Sequence, residues 1–281
     1  MPQIPCEKIS ESIIKRLRKK PRPQKKLLII TIGENPASLS FIRQKQKIAS
    51  LLGIKTKIET LKKNVSAKTV IQTLKKFSNN KQIGGIIIQL PLPKHLNREE
   101  ILKALPEAQD IDRIGHASRR KKNETINSPP IGVVEEILKL TERKIEKLNI
   151  AIIGHGFLIG KPIEKWLREK TQKLKVFPEK SKTMKTRLKK FDLIISGAGA
   201  GKIFDASHLK NNAVVIDFGW KKNKKTGIIT GDFDTEKNAV LLEKNIIRYT
   251  KTPGGTGPIL VAKIMENFFA LTAKTSKNAS K

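Results

Sequence analysis

Apolar residues follow two spacings that alternate along the 281-residue chain. Ile9, Ile13, Ile14 and Leu17 recur at the interval of one helical face, and Pro21 and Pro23 end that helix before the unbroken apolar run Leu27 to Ile32. A run of that length reads as a strand covered on both faces, as in a parallel sheet. Gly33 to Ser38 reads as a turn-rich loop, followed by a helix marked by Phe41, Ile48, Leu51 and Leu52 that Gly53 closes. A strand follows near Lys55 to Thr60. Ser66 caps a third helix bearing Val70, Ile71, Leu74 and Phe77, and Gly84 leads into a second continuous strand, Gly85 to Gln89. Leu90 to Pro93 is non-helical because its prolines fix φ and lack N–H donors, and a helix with Ile101, Leu102 and Leu105 comes next.

Between Ile114 and Asn127 the pattern fades into polar and basic residues, which marks a domain boundary. Ser128, Pro129 and Pro130 start a helix carrying Val133, Val134, Ile137 and Leu138. Strands follow at Leu148 to Ile153, Leu174 to Phe177, Leu193 to Ser196 and Ala213 to Asp217, with segments between them able to cross back over a sheet. This second part reads as doubly wound. A last amphipathic helix, about Pro258 to Leu271 with Ile264, Met265, Phe268 and Phe269, precedes a polar tail expected to fray.

Composition narrows the picture. Fifty-eight Lys and Arg against twenty-five Asp and Glu leave a formal charge of +33, a field attractive to any polyanion. The cations are spread along the chain without interleaved aromatics to stack on bases, so a nucleic-acid platform ranks low. The chain has no apolar stretch of spanning length and no signal-peptide core at Met1 to Ser10, which predicts a cytoplasmic protein without a membrane partner. One cysteine and four histidines offer no disulfide and no metal-ligand spacing.

The junction of strand and glycine carries the first candidate chemistry. Gly154-His155-Gly156-Phe157-Leu158-Ile159-Gly160 follows an apolar strand and opens a helix, so tight turns and helix-start N–H groups can hold a pyrophosphate. Its spacing is GxGxxxG rather than GxGxxG, and a glycine-rich turn that binds nothing is the plain alternative. After the next strand come Glu179, Lys180, Ser181 and Lys182. Their cations outnumber the acid and favour a 2′-phosphate, hence NADP, with NAD as the alternative. Elsewhere, Phe41 and Lys45 lie one turn apart on one helix face. From pattern alone Lys45 reads as a lysine whose stem packs on Ile48, and a functional role needs a partner such as Gln89 or Asp112. Thr252 to Pro258 is a second glycine-rich loop opening a helix, or a plain turn.

Together these pieces resemble the bifunctional methylenetetrahydrofolate dehydrogenase and methenyltetrahydrofolate cyclohydrolase family. The markers are Gly33 to Ser38 followed by the Lys45 helix, Gln89-Leu90-Pro91-Leu92-Pro93, Asp110-Ile111-Asp112, Gly154 to Pro162, and Thr252 to Pro258. The resemblance implies a two-domain α/β protein. Its catalytic folate domain would be residues 1–125, completed by 257–281 as the C-terminal helix returns to it. A Rossmann-type, doubly wound NADP-binding domain would take 126–256. It further implies NADP-dependent oxidation of 5,10-methylenetetrahydrofolate, hydrolysis of the methenyl product to 10-formyltetrahydrofolate, a homodimer, and tetrahydrofolate derivatives as partners, with or without a polyglutamate tail. By the same resemblance Lys45 is the catalytic lysine, Gln89 the pterin-side glutamine and Asp112 the pterin-binding aspartate. Gly154, His155, Gly156 and Gly160 would serve the nucleotide, with Lys180 and Ser181 near its ribose and Trp220 at the nicotinamide end. Pro253, Gly254 and Gly255 would line the folate cleft.

This chain departs from the family pattern where Phe41 replaces a tyrosine, Arg113 a glycine and Pro129 a threonine, and also at Thr256 and Leu260. Phe41 keeps a face for stacking but has no hydroxyl to relay a proton, which places the cyclohydrolase step in question more than the dehydrogenase step. A catalytically impaired folate or nucleotide binder, and below it a nucleic-acid binder on this scaffold, are the alternatives.

Overall fold

The computed structural model describes residues 2–115 and 126–278. The middle of the expected boundary, residues 116–125, lies outside the described residues. The chain divides into two compact units, a first of Ser12–Pro129 with Val261–Lys281 and a second of Met1–Glu11 with Pro130–Leu260.

The first unit is built on three parallel strands. In chain order its elements are α1 (Cys6–Arg18), which begins in the second unit, then β1 (Lys26–Ile32), α2 (Pro36–Leu51), β2 (Thr56–Leu61), α3 (Ala67–Ser78), β3 (Ile83–Ile88) and α4 (Arg98–Lys103). The strand order is β2-β1-β3, and a parallel bridge from Ile86 to Asp110 continues the ladder beyond β3. Every residue of β3 is buried, and Leu27 to Ile30 of β1 are fully enclosed, which accounts for their unbroken apolar runs. Ser66 caps α3 as expected, its hydroxyl accepting from the Thr69 N–H at 3.1 Å.

The helix carrying Lys45 starts earlier than its apolar pattern suggests. Gly33 to Ser38 is not all loop, because Asn35 accepts the Ser38 N–H at 3.4 Å and Pro36 occupies the first helical position, where its missing N–H costs nothing.

The second unit holds a five-stranded parallel sheet. Its elements run α5 (Pro129–Leu140), β4 (Ile150–Ile153), α6 (Gly160–Arg168), β5 (Leu174–Phe177), α7 (Met184–Arg187), β6 (Leu193–Ser196), β7 (Phe204–Asp205), β8 (Val214–Asp217), β9 (Lys221–Lys222), β10 (Ile229–Thr230), β11 (Phe233–Asp234), α8 (Val240–Lys244), β12 (Arg248–Tyr249) and the start of α9 (Thr256–Asn278). The sheet order β12-β8-β6-β4-β5 runs outward from β4 to β5 on one side and to β6, β8 and β12 on the other. The winding therefore reverses between β4 and β6, and ligands of open α/β sheets bind outside the carboxyl ends of the strands at such a point. Phe177, Leu188, Phe204, Val215 and Phe233 pack the core of this unit with Ile153 and Ile194.

Two corrections belong to the last helix. It begins at Thr256 rather than about Pro258, and it runs through the stretch expected to fray, to Asn278. Thr272 extends the buried face past Leu271, its hydroxyl donating to the Phe268 carbonyl at 2.8 Å.

Candidate functional site

Three polar side chains singled out in the first unit meet. Lys45 is presented by α2 between the buried Ile42 and Ala49, Gln89 follows the last residue of β3, and Asp112 sits in the turn after the bridge at Asp110. The Lys45 Nζ donates to Gln89 Oε1 at 3.2 Å and lies 3.8 Å from Asp112 Oδ2. The lysine is only 8% exposed, so its stem does not carry the ammonium out to water. Gln89 is fixed by its own amide, which donates to the Leu90 carbonyl at 2.8 Å and so turns Oε1 toward the lysine. Burial pushes the Asp112 carboxyl above its ordinary value, and the Lys45 ammonium pulls against that rise. Phe41, one turn before Lys45, is 36% exposed.

The two aspartates of Asp110-Ile111-Asp112 have separate tasks. Asp110 is fully buried and accepts the N–H groups of Ile114 and Gly115, closing the turn that carries Asp112. Arg113 stands in the left-handed region with φ +54°, a conformation suited to glycine, and its buried guanidinium reaches Glu107 Oε1 at 3.4 Å. Arg113 thus takes the glycine's backbone shape and leaves the Lys45–Asp112 pair in place.

The nucleotide candidates lie in the second unit, each after the carboxyl end of a strand. Gly154 follows β4 with φ +84°, and a Cβ there would sit 2.7 Å from the Ala198 backbone. At Gly160 a Cβ would meet the Gly154 carbonyl oxygen at 2.1 Å. These two glycines let strand, turn and helix close up, whereas Gly156 faces open space, its nearest neighbour being the Gly197 carbonyl oxygen at 3.9 Å. The first turn of α6 has no side-chain cap, but Lys161 N–H donates to the Gly156 carbonyl at 3.0 Å, Ile163 N–H to the Ile159 carbonyl at 3.2 Å, and Pro162 has no N–H to offer. His155 is exposed, and its Nε2 pairs with Glu164 of α6, which also binds Arg168. Burial pushes the Glu164 carboxyl up, but the hydrogen bonds from Arg168 and His155 outweigh it and hold it below its ordinary value. Lys180 and Ser181 follow β5, the strand beside β4, with Lys180 exposed. Trp220 follows β8 and is 38% exposed. Pro253, Gly254 and Gly255 lie between β12 and α9, with Gly254 at φ +85° and Gly255 against the Lys251 carbonyl oxygen.

Two buried carboxylates escaped the reading of the sequence. Asp217, the last residue of β8, accepts the N–H groups of Gly219 and Phe233 and is 1% exposed. Burial, and next to it the Asp232 charge, push its carboxyl up to about 7 against those hydrogen bonds. Asp232 is fully buried and accepts from five donors in the segment Ser196 to Gly201. The signal available was the Gly-Ala run itself, a row of N–H groups in need of an acceptor. Cys6 is buried with its thiol pushed up to about 12, which removes it as a nucleophile. Among the described residues no group of His, Cys, Asp and Glu could hold a metal, and no helix is long and apolar enough to cross a membrane.

An α/β chain with a Rossmann-like sheet and a buried lysine-carboxylate site belongs to the two-domain, nucleotide-dependent enzymes. Residues 4–112 match the catalytic domain of tetrahydrofolate dehydrogenase/cyclohydrolase and residues 128–276 match its NAD(P)-binding domain, so the chain belongs to the tetrahydrofolate dehydrogenase/cyclohydrolase family. The bifunctional protein FolD of Mycoplasma mycoides is 31% identical over 88% of this chain and 85% of its own length. The FolD of Staphylococcus aureus strain JH9 is 29% identical over 86% of this chain and 84% of its own. The crystal structure of the bifunctional FolD enzyme of Campylobacter jejuni superposes with a TM-score of 0.88 at 26% identity, covering 97% of this chain and 99% of that one. The expected fold class, family and enzyme class are thereby established, and the family's paired activities, methylenetetrahydrofolate dehydrogenase and cyclohydrolase, are those of this chain.

Proposed function

We propose that this chain oxidises 5,10-methylenetetrahydrofolate with NADP at the second unit's glycine turn and hydrolyses the methenyl product at Lys45. The observation that carries the reading is the Lys45 ammonium enclosed between Gln89 and Asp112. Asp112, held toward its protonated form by burial, suits a hydrogen bond to the pterin ring. As the free amine, Lys45 takes the proton of the attacking water as its oxygen bonds to the methenyl carbon, and the ammonium so formed returns that proton to the ring nitrogen as the bridge C–N bond breaks. Gln89 keeps the Lys45 amine aimed during that exchange.

When bound, NADP supplies the hydride acceptor for the first step. The residues present fit it. Gly154 and Gly160 admit no side chain, and Gly156 faces open space, so the backbone of the turn between β4 and α6 leaves room for a pyrophosphate to approach closely. Lys180 with Ser181 suits a 2′-phosphate. The dehydrogenase step asks for alignment rather than a general base, because nitrogen lone-pair density expels the hydride. Trp220 and the Pro253 to Gly255 loop are assigned to the nicotinamide end and to the folate. The same reading takes the first unit as the folate domain, and the protein as a cytoplasmic homodimer acting on folates with or without polyglutamate tails.

Lys45→Met tests the division of labour. Decay of supplied methenyltetrahydrofolate should slow by about 10²- to 10⁴-fold while NADP reduction from the methylene substrate falls far less. Equal loss of both rates would refute the assignment of Lys45 to the hydrolytic step.

A further inference from the structure

The segment Gly197-Ala198-Gly199-Ala200-Gly201 follows β6 at the point where the winding of the second sheet reverses. Gly199 and Gly201 have φ of +65° and +72°, and successive N–H groups in such a turn form a concavity that elsewhere receives a phosphate. Here the concavity is filled from within. Asp232 Oδ2 accepts from Ser196 Oγ at 2.7 Å, Ala198 N at 2.9 Å and Gly199 N at 3.1 Å, while Oδ1 accepts from Ala200 N at 2.8 Å and Gly201 N at 3.1 Å.

The pinned loop touches two others at the same sheet edge. Gly197 N donates to the Ile153 carbonyl at 2.9 Å, and Ala198 lies where a Cβ on Gly154 would have to go. On the other side, a Cβ on Gly219 would fall 2.4 Å from the Asp232 Cγ, and Lys221 Nζ donates to the Ala200 carbonyl at 2.6 Å, so the turn bearing Trp220 is seated on the same carboxylate. One buried carboxylate therefore holds the loop after β6, and the ends of β4 and β8 are set against that loop.

We propose that Asp232 is the positioning residue of the nucleotide site: its carboxylate stands in for an anion in the 197–201 loop and so sets the Gly154 turn and the Trp220 turn at the spacing NADP requires. The inference rests on the reading that these turns bind NADP. It predicts an effect confined to the nucleotide. An amide has one accepting oxygen, so Asp232→Asn turns N–H groups toward N–H groups in a dry site, and the loops must move apart.

The experiment uses the full chain with Asp232→Asn and, as the milder change, Ser196→Ala, which removes only the hydroxyl donor. NADP affinity is read by titration calorimetry, NADP reduction by absorbance, hydrolysis by decay of methenyltetrahydrofolate, and folding by circular dichroism. For a folded Asp232→Asn we expect the Kd and KM for NADP to rise by about 10-fold or more, with hydrolysis within about 2-fold of the parent. An NADP Kd unchanged in the folded variant, or loss of hydrolysis in step with NADP reduction, would overturn the proposal. If Asp232→Asn does not fold, Ser196→Ala decides: a raised Kd with hydrolysis intact supports it, and an unchanged Kd sinks it. Parent protein that binds NADP but does not oxidise the folate would instead overturn the functional reading and leave the Kd comparison valid.

Discussion

Phe41 puts an aromatic face one helical turn from the Lys45 amine without the hydroxyl found in the family pattern. Restoring it with Phe41→Tyr should raise hydrolysis of the methenyl substrate by about 10-fold while dehydrogenation stays within about 2-fold, since in the proposed division of labour only the hydrolytic step moves protons through this corner. Parallel assays of the two rates check it, and an equal rise in both would show that the hydroxyl serves binding instead. Gln89 and Asp112 could be singled out from the sequence because strand ends framed them, whereas Lys45 is named only through the family resemblance, its own spacing reading as a packed stem. The meeting of the three could not be read, because it depends on Gln89 being turned by its bond to Leu90 and on Asp110 closing the turn beneath Asp112. Asp232 stayed hidden for a related reason: its partners are mostly backbone N–H groups, which every residue type possesses. Of the other departures, Pro129 fits the first position of α5 and Thr256 donates its hydroxyl to the Asp217 carbonyl at 3.2 Å. Nothing in the structure explains Leu260.

Elements with a full hydrophobic period were legible and those without one were not. β1, β3 and α3 could be placed because four or more residues repeat the same environment, whereas β7, β9, β10 and β11 have two residues each and exist only through their partners. Helix ends were shifted where a cap decided them, as Asn35 does for α2. Two glycines give opposite expectations. In β3 a Cβ on Gly85 would lie 2.7 Å from Ile111 Cγ2 and 2.8 Å from Phe268 Cδ2, so Gly85→Ala should cost about 1–3 kcal/mol by overpacking. In α9 a Cβ on Gly257 meets nothing within 4 Å, so Gly257→Ala should stabilise, by up to about 1 kcal/mol of helix propensity. Urea unfolding of both variants would measure the contrast, and the same sign for both would contradict the packing described.

For the molecule as a whole, a formal charge of +33 favours anionic ligands such as NADP and any polyglutamate tail on the folate. Raising ionic strength shortens the screening length from about 10 Å at 0.1 M to about 3 Å at 1 M, so the KM for NADP should climb several-fold over that range while kcat holds. Steady-state kinetics in a salt series test this, and a flat KM would remove charge from the account of binding. The fold also imposes an order on its own making. Neither unit is one continuous stretch of chain, since the first takes Val261–Lys281 and the second takes Met1–Glu11. During synthesis the strands β1 to β3 therefore leave the ribosome long before α9, whose Phe268 packs against Gly85. That sheet must wait, partly uncovered, until α9 has followed it out.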